Sequence, residues 1–273
     1  MKILIAADME GVTGVVHWDH VTSDHAEYPR YRRLMTGDVN AAVRGAFEGG
    51  AREVIVTDGH DTGRNLLIEE IDPRARLNAG DSIPFSMVEG ADAGLDAAMF
   101  VGYHARAGQP QAILSHTWSG RVAKVWLNGS EVGEIGLNAA MCGHFEVPVI
   151  MVSGDQTACA EATELLGQVE TATVKRAGSR MAAECLSPEA AQGVIYTAAA
   201  GAVRHLSAGE APPPFHLEIP ITLTVEFKQP EMADRAMLLP GVRRSGAGEV
   251  EFTADDMPVA YRAFQALVAL AQG

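Results

Sequence analysis

The sequence has few cysteines and few basic residues for its length. Its three cysteines, Cys142, Cys159 and Cys185, show no C-x-x-C spacing, which excludes a disulfide framework and indicates reduced thiols. A formal net charge of −14, from 21 basic and 35 acidic residues, excludes the basic surface that nucleic-acid binding requires. We therefore expect a fold held together by its hydrophobic core, without a nucleic-acid partner.

Long apolar segments and nucleotide-binding motifs are also absent. No segment approaches the roughly 20 apolar residues of a membrane-spanning helix. The apolar run at the N-terminus ends at Asp8, too soon for a signal peptide. Neither a P-loop nor a G-x-G-x-x-G motif between a strand and a helix occurs. The sequence thus predicts a soluble, cytoplasmic protein that does not associate with membranes, and it gives little support to nucleotide binding.

The first two thirds of the chain alternate short apolar runs with amphipathic helical patterns. The predicted strands are Ile3–Ala7, Glu53–Thr57, Ala97–Gly102 and Pro148–Ser153, and the predicted helices are Thr36–Glu48, Ile135–Phe145 and Thr157–Leu166. Such an alternation indicates an α/β fold with a mostly parallel sheet flanked by helices. Asn128-Gly129, between Val122–Leu127 and Glu131–Ile135, predicts an inserted β-hairpin.

The last third of the chain has a different pattern. Ser187 and Pro188 predict the start of a helix that runs to about His205, and the proline-rich segment 208–214 indicates a domain boundary. Beyond it, the predicted elements are the strands His216–Phe227 and Glu249–Thr253 and the helix Met257–Gln272. We therefore predict a main α/β domain at residues 1–207 and a smaller C-terminal α+β domain at residues 208–273.

Polar side chains follow three of the predicted strands. Asp8 and Glu10 come after the first strand, His60 after the second and His104 after the third. Open α/β sheets bind ligands beyond the carboxyl ends of their strands, so parallel neighbours would bring these side chains into one crevice. Carboxylate and imidazole together suit zinc or a similar divalent cation. The sequence therefore predicts a metal site, although each residue alone also fits a helix cap or a turn.

Three later residues are further candidates for this crevice. His116 could reach it as an acid or a base. Glu131 and Glu134 border the predicted hairpin, and either could supply another carboxylate if the hairpin folds over the end of the sheet. Spacing alone does not choose between them.

Two other functions fit part of this pattern. Asp8 and Glu10 resemble the acidic pair of a magnesium-dependent phosphatase in which Asp8 is the nucleophile. That hypothesis leaves His60 and His104 without a shared purpose. The other alternative is a metal-stabilised assembly protein without catalytic activity.

Motifs along the whole chain, in this order and spacing, resemble the DppA-type D-aminopeptidases, a family of zinc metallopeptidases. The matching segments are Asp8–Gly11, Asp58–His60, Pro84–Gly90, Gly102–Ala107, Ser115-His116, Asn128-Gly129, Gly133–Ala139, Leu186–Pro188 and Asp255–Met257. One departure is Ala6, where the family commonly has a serine two residues before the aspartate. That serine is not a ligand, so the implied metal site should survive.

The resemblance implies an aminopeptidase with two zinc ions per subunit. Asp8 matches a carboxylate that bridges the ions, and the remaining ligands match Glu10, His60, His104 and Glu134. The expected reaction is attack of metal-bound hydroxide on the N-terminal peptide bond of short peptides or amides that begin with a D-residue. His116 matches the catalytic residue, and it could act as a nucleophile, as an acid and base, or as a stabiliser of the oxyanion.

The resemblance also implies an assembly. Members of the family form a ring-shaped homodecamer that encloses the active sites, so we expect a homo-oligomer here. Arg106 then has two interpretations. It binds the carboxylate of the peptide, or it forms a surface or intersubunit salt bridge.

Overall fold

Two β-sheets and the helices packed on them organise the chain. The structure is a computed structural model that describes residues 1–81 and 85–272; Pro84, in one of the motifs above, lies outside the described residues. The strands described are β1 Lys2–Ala7, β2 Glu53–Asp58, β3 Ala75–Asn78, β4 Ala97–Val101, β5 Val122–Leu127, β6 Ser130–Val132, β7 Val149–Asp155, β8 Glu170–Ser179, β9 Ala182–Cys185, β10 Ile221–Phe227, β11 Arg243–Arg244 and β12 Glu249–Ala254. The α-helices described are α1 Tyr28–Glu48, α2 Glu134–His144, α3 Gln156–Leu166, α4 Pro188–Ala208, α5 Pro230–Ala236 and α6 Met257–Leu270.

The larger sheet is mostly parallel, as the sequence predicts. Its strand order is β3-β2-β1-β4-β7-β8-β9, and only the β8–β9 pair is antiparallel. Successive side chains of a strand point to opposite faces. Ile3 and Ile5 of β1 accordingly share a core with α1 and α4, whereas Leu4 and Ala6 share one with α2 and α3. Helices therefore cover both faces, which explains the nearly continuous apolar strands.

The smaller sheet is antiparallel and has the order β11-β12-β10-β5-β6. The predicted hairpin, β5–β6, is part of it, because β5 pairs with the C-terminal strand β10. Val125 and Leu127 of the hairpin share a hydrophobic core with Tyr261 and Phe264 of α6. The division of the chain into domains at residues 1–207 and 208–273 remains a prediction.

Several element boundaries differ from the predicted ones. Helix α1 begins at Tyr28 instead of Thr36, because Pro29 fits the first helical turn and Tyr31 extends the buried face. The predicted strand 131–135 was wrong at its end: β6 stops at Val132, and α2 starts at Glu134. The predicted strand 216–227 starts only at residue 221.

Some elements carry no clear sequence signal. The strands β3, β8, β9 and β11 and the helix α5 were not predicted. In the parts of the chain that the structure describes, no helix has the length and apolar character needed to cross a membrane. The cytoplasmic location remains a prediction.

Candidate metal centre

The carboxyl ends of β1 and β4 stay in contact beyond the paired strands. The amide of Asp8 donates to the carbonyl of Val101 at 2.8 Å, and the amide of Gly11 donates to the carbonyl of Gly102 at 2.7 Å. Both glycines are required here. A β-carbon on Gly11 would overlap the carbonyl oxygen of Tyr103, and Gly102 has a positive φ of 76°. This contact brings Asp8 and Glu10, after β1, next to His104, after β4.

Asp8 lies at the centre of a buried cluster that contains all five predicted ligands. Its Oδ1 is 3.2 Å from His60 Nδ1, and its Oδ2 is 3.4 Å from His104 Nε2. Glu10 Oε2 lies 3.1 Å from the same nitrogen of His60, and Glu134 Oε1 lies 3.2 Å from the same nitrogen of His104. The structure thus brings these strand ends together, and the role of the five side chains as metal ligands remains a prediction.

Backbone carbonyls fix the orientation of each imidazole. His60 Nε2 lies 2.9 Å from the carbonyl of Val21, His104 Nδ1 lies 3.0 Å from that of Ala105, and His116 Nδ1 lies 2.9 Å from that of Leu114. A carbonyl only accepts, so these nitrogens are the donors. In a neutral imidazole, the other nitrogen is then an unprotonated acceptor, and in all three rings it faces the carboxylates.

Three buried polar atoms of the cluster have no hydrogen-bond partner among the described residues: Asp8 Oδ2, Glu10 Oε2 and His104 Nε2. Such atoms are costly to bury. Ligand atoms of Asp8, Glu10 and His104 lie within 4.8 Å of one another, and so do those of His104, His116 and Glu134. The donor types, the orphaned atoms and their spacing fit a divalent cation such as zinc.

The charges of the cluster also favour a cation. Burial and the adjacent Glu10 raise the pKa of Asp8 to about 7. Burial opposes a charge on Glu10 as well, but His60 outweighs it and holds the pKa of Glu10 well below its usual value. Burial would lower the pKa of His104, yet Glu134 and Asp8 raise it well above the usual value. Three clustered carboxylates thus demand positive charge, which a metal ion supplies without protonating the imidazoles.

The structure shows which of the two candidate glutamates, Glu131 or Glu134, lies in the cluster. Glu134 is the first residue of α2, it is buried, and its Oε1 accepts a hydrogen bond from the Trp118 amide at 2.7 Å. Glu131 points elsewhere, with Lys124 at 3.3 Å and Arg106 at 3.5 Å. Arg106 also pairs with Glu161 at 3.4 Å. Arg106 therefore forms salt bridges within the chain, which is the second of its two interpretations.

His116 borders the cluster. Its Nε2 lies 3.8 Å from Glu134 Oε1 and 4.0 Å from Glu10 Oε1, and its ring stacks on that of His104 at 4.1 Å. Burial and the neighbouring His104 lower the pKa of His116. A neutral imidazole with a free Nε2 beside the cluster can accept a proton there.

A cavity of about 690 Å³ opens onto the cluster and is large enough for a short peptide. Its walls include Trp18, Met87 and Trp118 in addition to five predicted site residues, Asp8, Glu10, His60, His116 and Glu134. Trp18 also makes a T-shaped contact with the His116 ring, with 5.3 Å between the ring centroids. Sequence reasoning missed both tryptophans, because neither follows a predicted strand.

Lys175, in the middle of β8, supports the segment that carries Glu10. It is fully buried, and its Nζ donates to the carbonyls of Glu10, Val12 and Val15 at 2.5, 2.9 and 2.7 Å. Burial lowers the pKa of this lysine to about 8. No pattern in the sequence predicts this role, since lysine is usually an exposed residue.

Replacing Lys175 with methionine is expected to lower the free energy of unfolding by about 2–3 kcal/mol, because three buried carbonyls lose their donor. The loss is not larger because the substitution also removes the free-energy cost of burying the charge of Lys175. Chemical denaturation measures the change. The exposed Lys124, in an ion pair with Glu131, provides the control: Lys124→Met should cost less than about 1 kcal/mol. Equal stabilities of the two variants would contradict the supporting role.

Comparisons with known proteins identify the family of this chain. A family model described as D-aminopeptidase matches residues 1–266. The D-aminopeptidase of Bacillus subtilis (strain 168) is 40% identical over 272 residues, which cover 99% of this chain and 98% of that protein. The solved structure of the Zn-dependent D-aminopeptidase DppA from Bacillus subtilis, described as a self-compartmentalizing protease, matches with a TM-score of 0.96 and 39% identity, over 100% of this chain and 98% of that one. These matches confirm the resemblance in the motifs and show that the chain belongs to the D-aminopeptidase family.

Proposed function

We propose that this protein is a zinc-dependent aminopeptidase that removes the N-terminal residue, preferably a D-residue, from short peptides and amides. The observation that carries the proposal is the set of three imidazoles that turn an acceptor nitrogen towards three buried carboxylates. The description of the related solved structure as a Zn-dependent D-aminopeptidase supports both the metal and the substrate class.

Five side chains are the proposed ligands of two zinc ions: Asp8, Glu10, His60, His104 and Glu134. The two oxygens of Asp8 face different histidines, His60 and His104, as expected of a carboxylate that bridges two ions. Glu10 lies on the His60 side, and Glu134 lies on the His104 side. Each side therefore has one imidazole and one carboxylate besides the shared Asp8, which supports a dinuclear centre.

The residues around the centre have separate tasks in the proposed reaction. Bound zinc ions would polarise the scissile carbonyl and make water a better nucleophile near neutral pH. His116 Nε2, which makes no hydrogen bond to a described residue, accepts a proton and returns it to the leaving amine. The hydrogen bond to the Leu114 carbonyl keeps this nitrogen free. Trp18, in T-shaped contact with the His116 ring, limits the access of bulk water to this nitrogen.

A direct test combines metal analysis with matched peptides. Protein purified without chelators should contain about two zinc ions per chain and hydrolyse D-Ala-D-Ala faster than L-Ala-L-Ala. Removal of the metal with a chelator should abolish turnover, and added zinc should restore it. Less than one zinc per chain in active protein would contradict the centre. Zinc binding without turnover of any peptide would instead support the assembly protein, and turnover of phosphate esters alone would support the phosphatase.

The protein is also proposed to form a homo-oligomer. The related structure is described as a self-compartmentalizing protease, and a peptidase can enclose its own active sites only when several chains assemble. The decamer expected from the resemblance would have ten times the mass of the 28.9 kDa chain. Light scattering on the purified protein measures this mass, and a monomer would contradict the assembly.

A further inference from the structure

A second cavity, of about 500 Å³, lies beside His116. Arg180 and Lys228 line it, together with His116 and seven uncharged residues. Among these lining residues, two carry a positive charge and none carries a carboxylate. The net charge of the chain is −14, so a pocket whose charged residues are all positive differs sharply from the acidic metal centre. The two cavities share one wall residue, His116.

Arg180 is fixed close to His116. Its Nη2 donates to the carbonyl of Ser115 at 3.1 Å, and its own carbonyl accepts from the Leu114 amide at 3.0 Å. Its guanidinium also lies 5.5 Å from the ring centroid of Trp18, the same ring that contacts His116. This side chain is therefore held beside the proposed catalytic residue by contacts that leave most of its donors free.

Neither cation of this pocket is neutralised by a neighbour. Within the described residues, Arg180 and Lys228 form no ion pair with a carboxylate, in contrast to Arg106, which is paired with Glu131 and Glu161. A guanidinium with free donors suits bidentate contact with a carboxylate, and an ammonium adds a second charge. The ligand that this pair recognises best is thus a small anionic group.

We propose that this pocket binds the terminal carboxylate of the substrate, on the side of the residue that leaves. The inference rests on the proposed aminopeptidase function, because His116 would stand at the scissile bond. One extended residue spans about 3.3–3.6 Å, so the free carboxylate of a short peptide lies only a few ångströms beyond that bond. The pocket would therefore select short peptides with a free C-terminus over their amides.

The test compares D-Ala-D-Ala with D-Ala-D-Ala amide, which share the scissile bond and differ only in the terminal charge. We expect wild-type kcat/KM to be higher for the acid. The acid-to-amide ratio should fall about fivefold or more in Arg180→Met and in Lys228→Met, mainly through KM of the acid. Arg180→Lys should retain much of the ratio. Because both side chains are exposed, higher salt should also lower it.

Arg176→Met is the matched control, because Arg176 is an exposed arginine on β8, the strand that leads into Arg180, and does not line the pocket. Its ratio should equal that of the wild type. A merely structural role of Arg180 would slow both substrates equally and leave the ratio unchanged. An unchanged ratio in both Arg180→Met and Lys228→Met would overturn the carboxylate subsite alone. No turnover of either substrate by the zinc-loaded wild type would overturn the proposed function and the subsite with it.

Discussion

Asp8→Asn is expected to remove most of the bound zinc and to lower kcat/KM by about a thousandfold or more, which corresponds to at least about 4 kcal/mol of transition-state stabilisation. The substitution preserves the shape of the side chain but takes away the charge that faces both His60 and His104. An amide cannot bridge two cations as a carboxylate does. Glu10 and Glu134 would then remain on opposite sides of the cluster without the group that joins them.

Zinc content per chain and steady-state kinetics measure the effect of Asp8→Asn. Asp38 provides a matched control, since it is as deeply buried as Asp8. Its Oδ2 accepts a hydrogen bond at 3.4 Å from the amide of Thr13, which lies in the segment that follows Asp8. Asp38→Asn makes the identical chemical change outside the cluster and should keep its zinc. Peptidase activity retained by Asp8→Asn, or zinc lost equally from both variants, would contradict the central position of Asp8.

The part of the site that the sequence predicts well depends on local patterns. An apolar run that ends in a polar residue marks the carboxyl end of a buried strand, and parallel strands align such ends at one edge. Asp8, His60 and His104 each follow this pattern, so their meeting required only that β1, β2 and β4 be neighbours. The pairing of β1 with both β2 and β4 satisfies that condition.

Other parts of the site depend on contacts between distant segments. The choice of Glu134 over Glu131 required the position of the β5–β6 hairpin, which pairs with β10 almost a hundred residues later. Family resemblance made that choice, whereas residue spacing could not. The roles of Lys175 and Arg180 depend on β8 and the turn after it, where no periodic pattern predicted a strand. Long-range pairing therefore accounts for what the sequence alone did not reveal.

His116→Gln should separate catalysis from metal binding. The imidazole reaches the cluster only through Nε2, at 3.8 Å or more from the nearest carboxylate oxygens, whereas the proposed ligands lie closer together. Loss of this group should lower kcat by about 10²–10⁴-fold, the usual contribution of a general acid and base. KM should change little, because glutamine is close to histidine in size and the other walls of the cavity are unchanged. Glutamine can still accept a hydrogen bond but does not exchange a proton at neutral pH.

The decisive comparison for His116 is the zinc content, because Asp8→Asn and His116→Gln both lower activity. His116→Gln should retain the zinc of the wild type, and His144→Gln, at the exposed end of α2, should retain both zinc and turnover. Loss of one zinc from His116→Gln would instead make His116 a ligand, together with His104 and Glu134, whose ligand atoms lie within 4.8 Å of its own. Full activity with full zinc would mean that the proton passes through another group. The proposed role of His116 in proton transfer therefore requires that His116→Gln keep the zinc content of the wild type and have a much lower kcat.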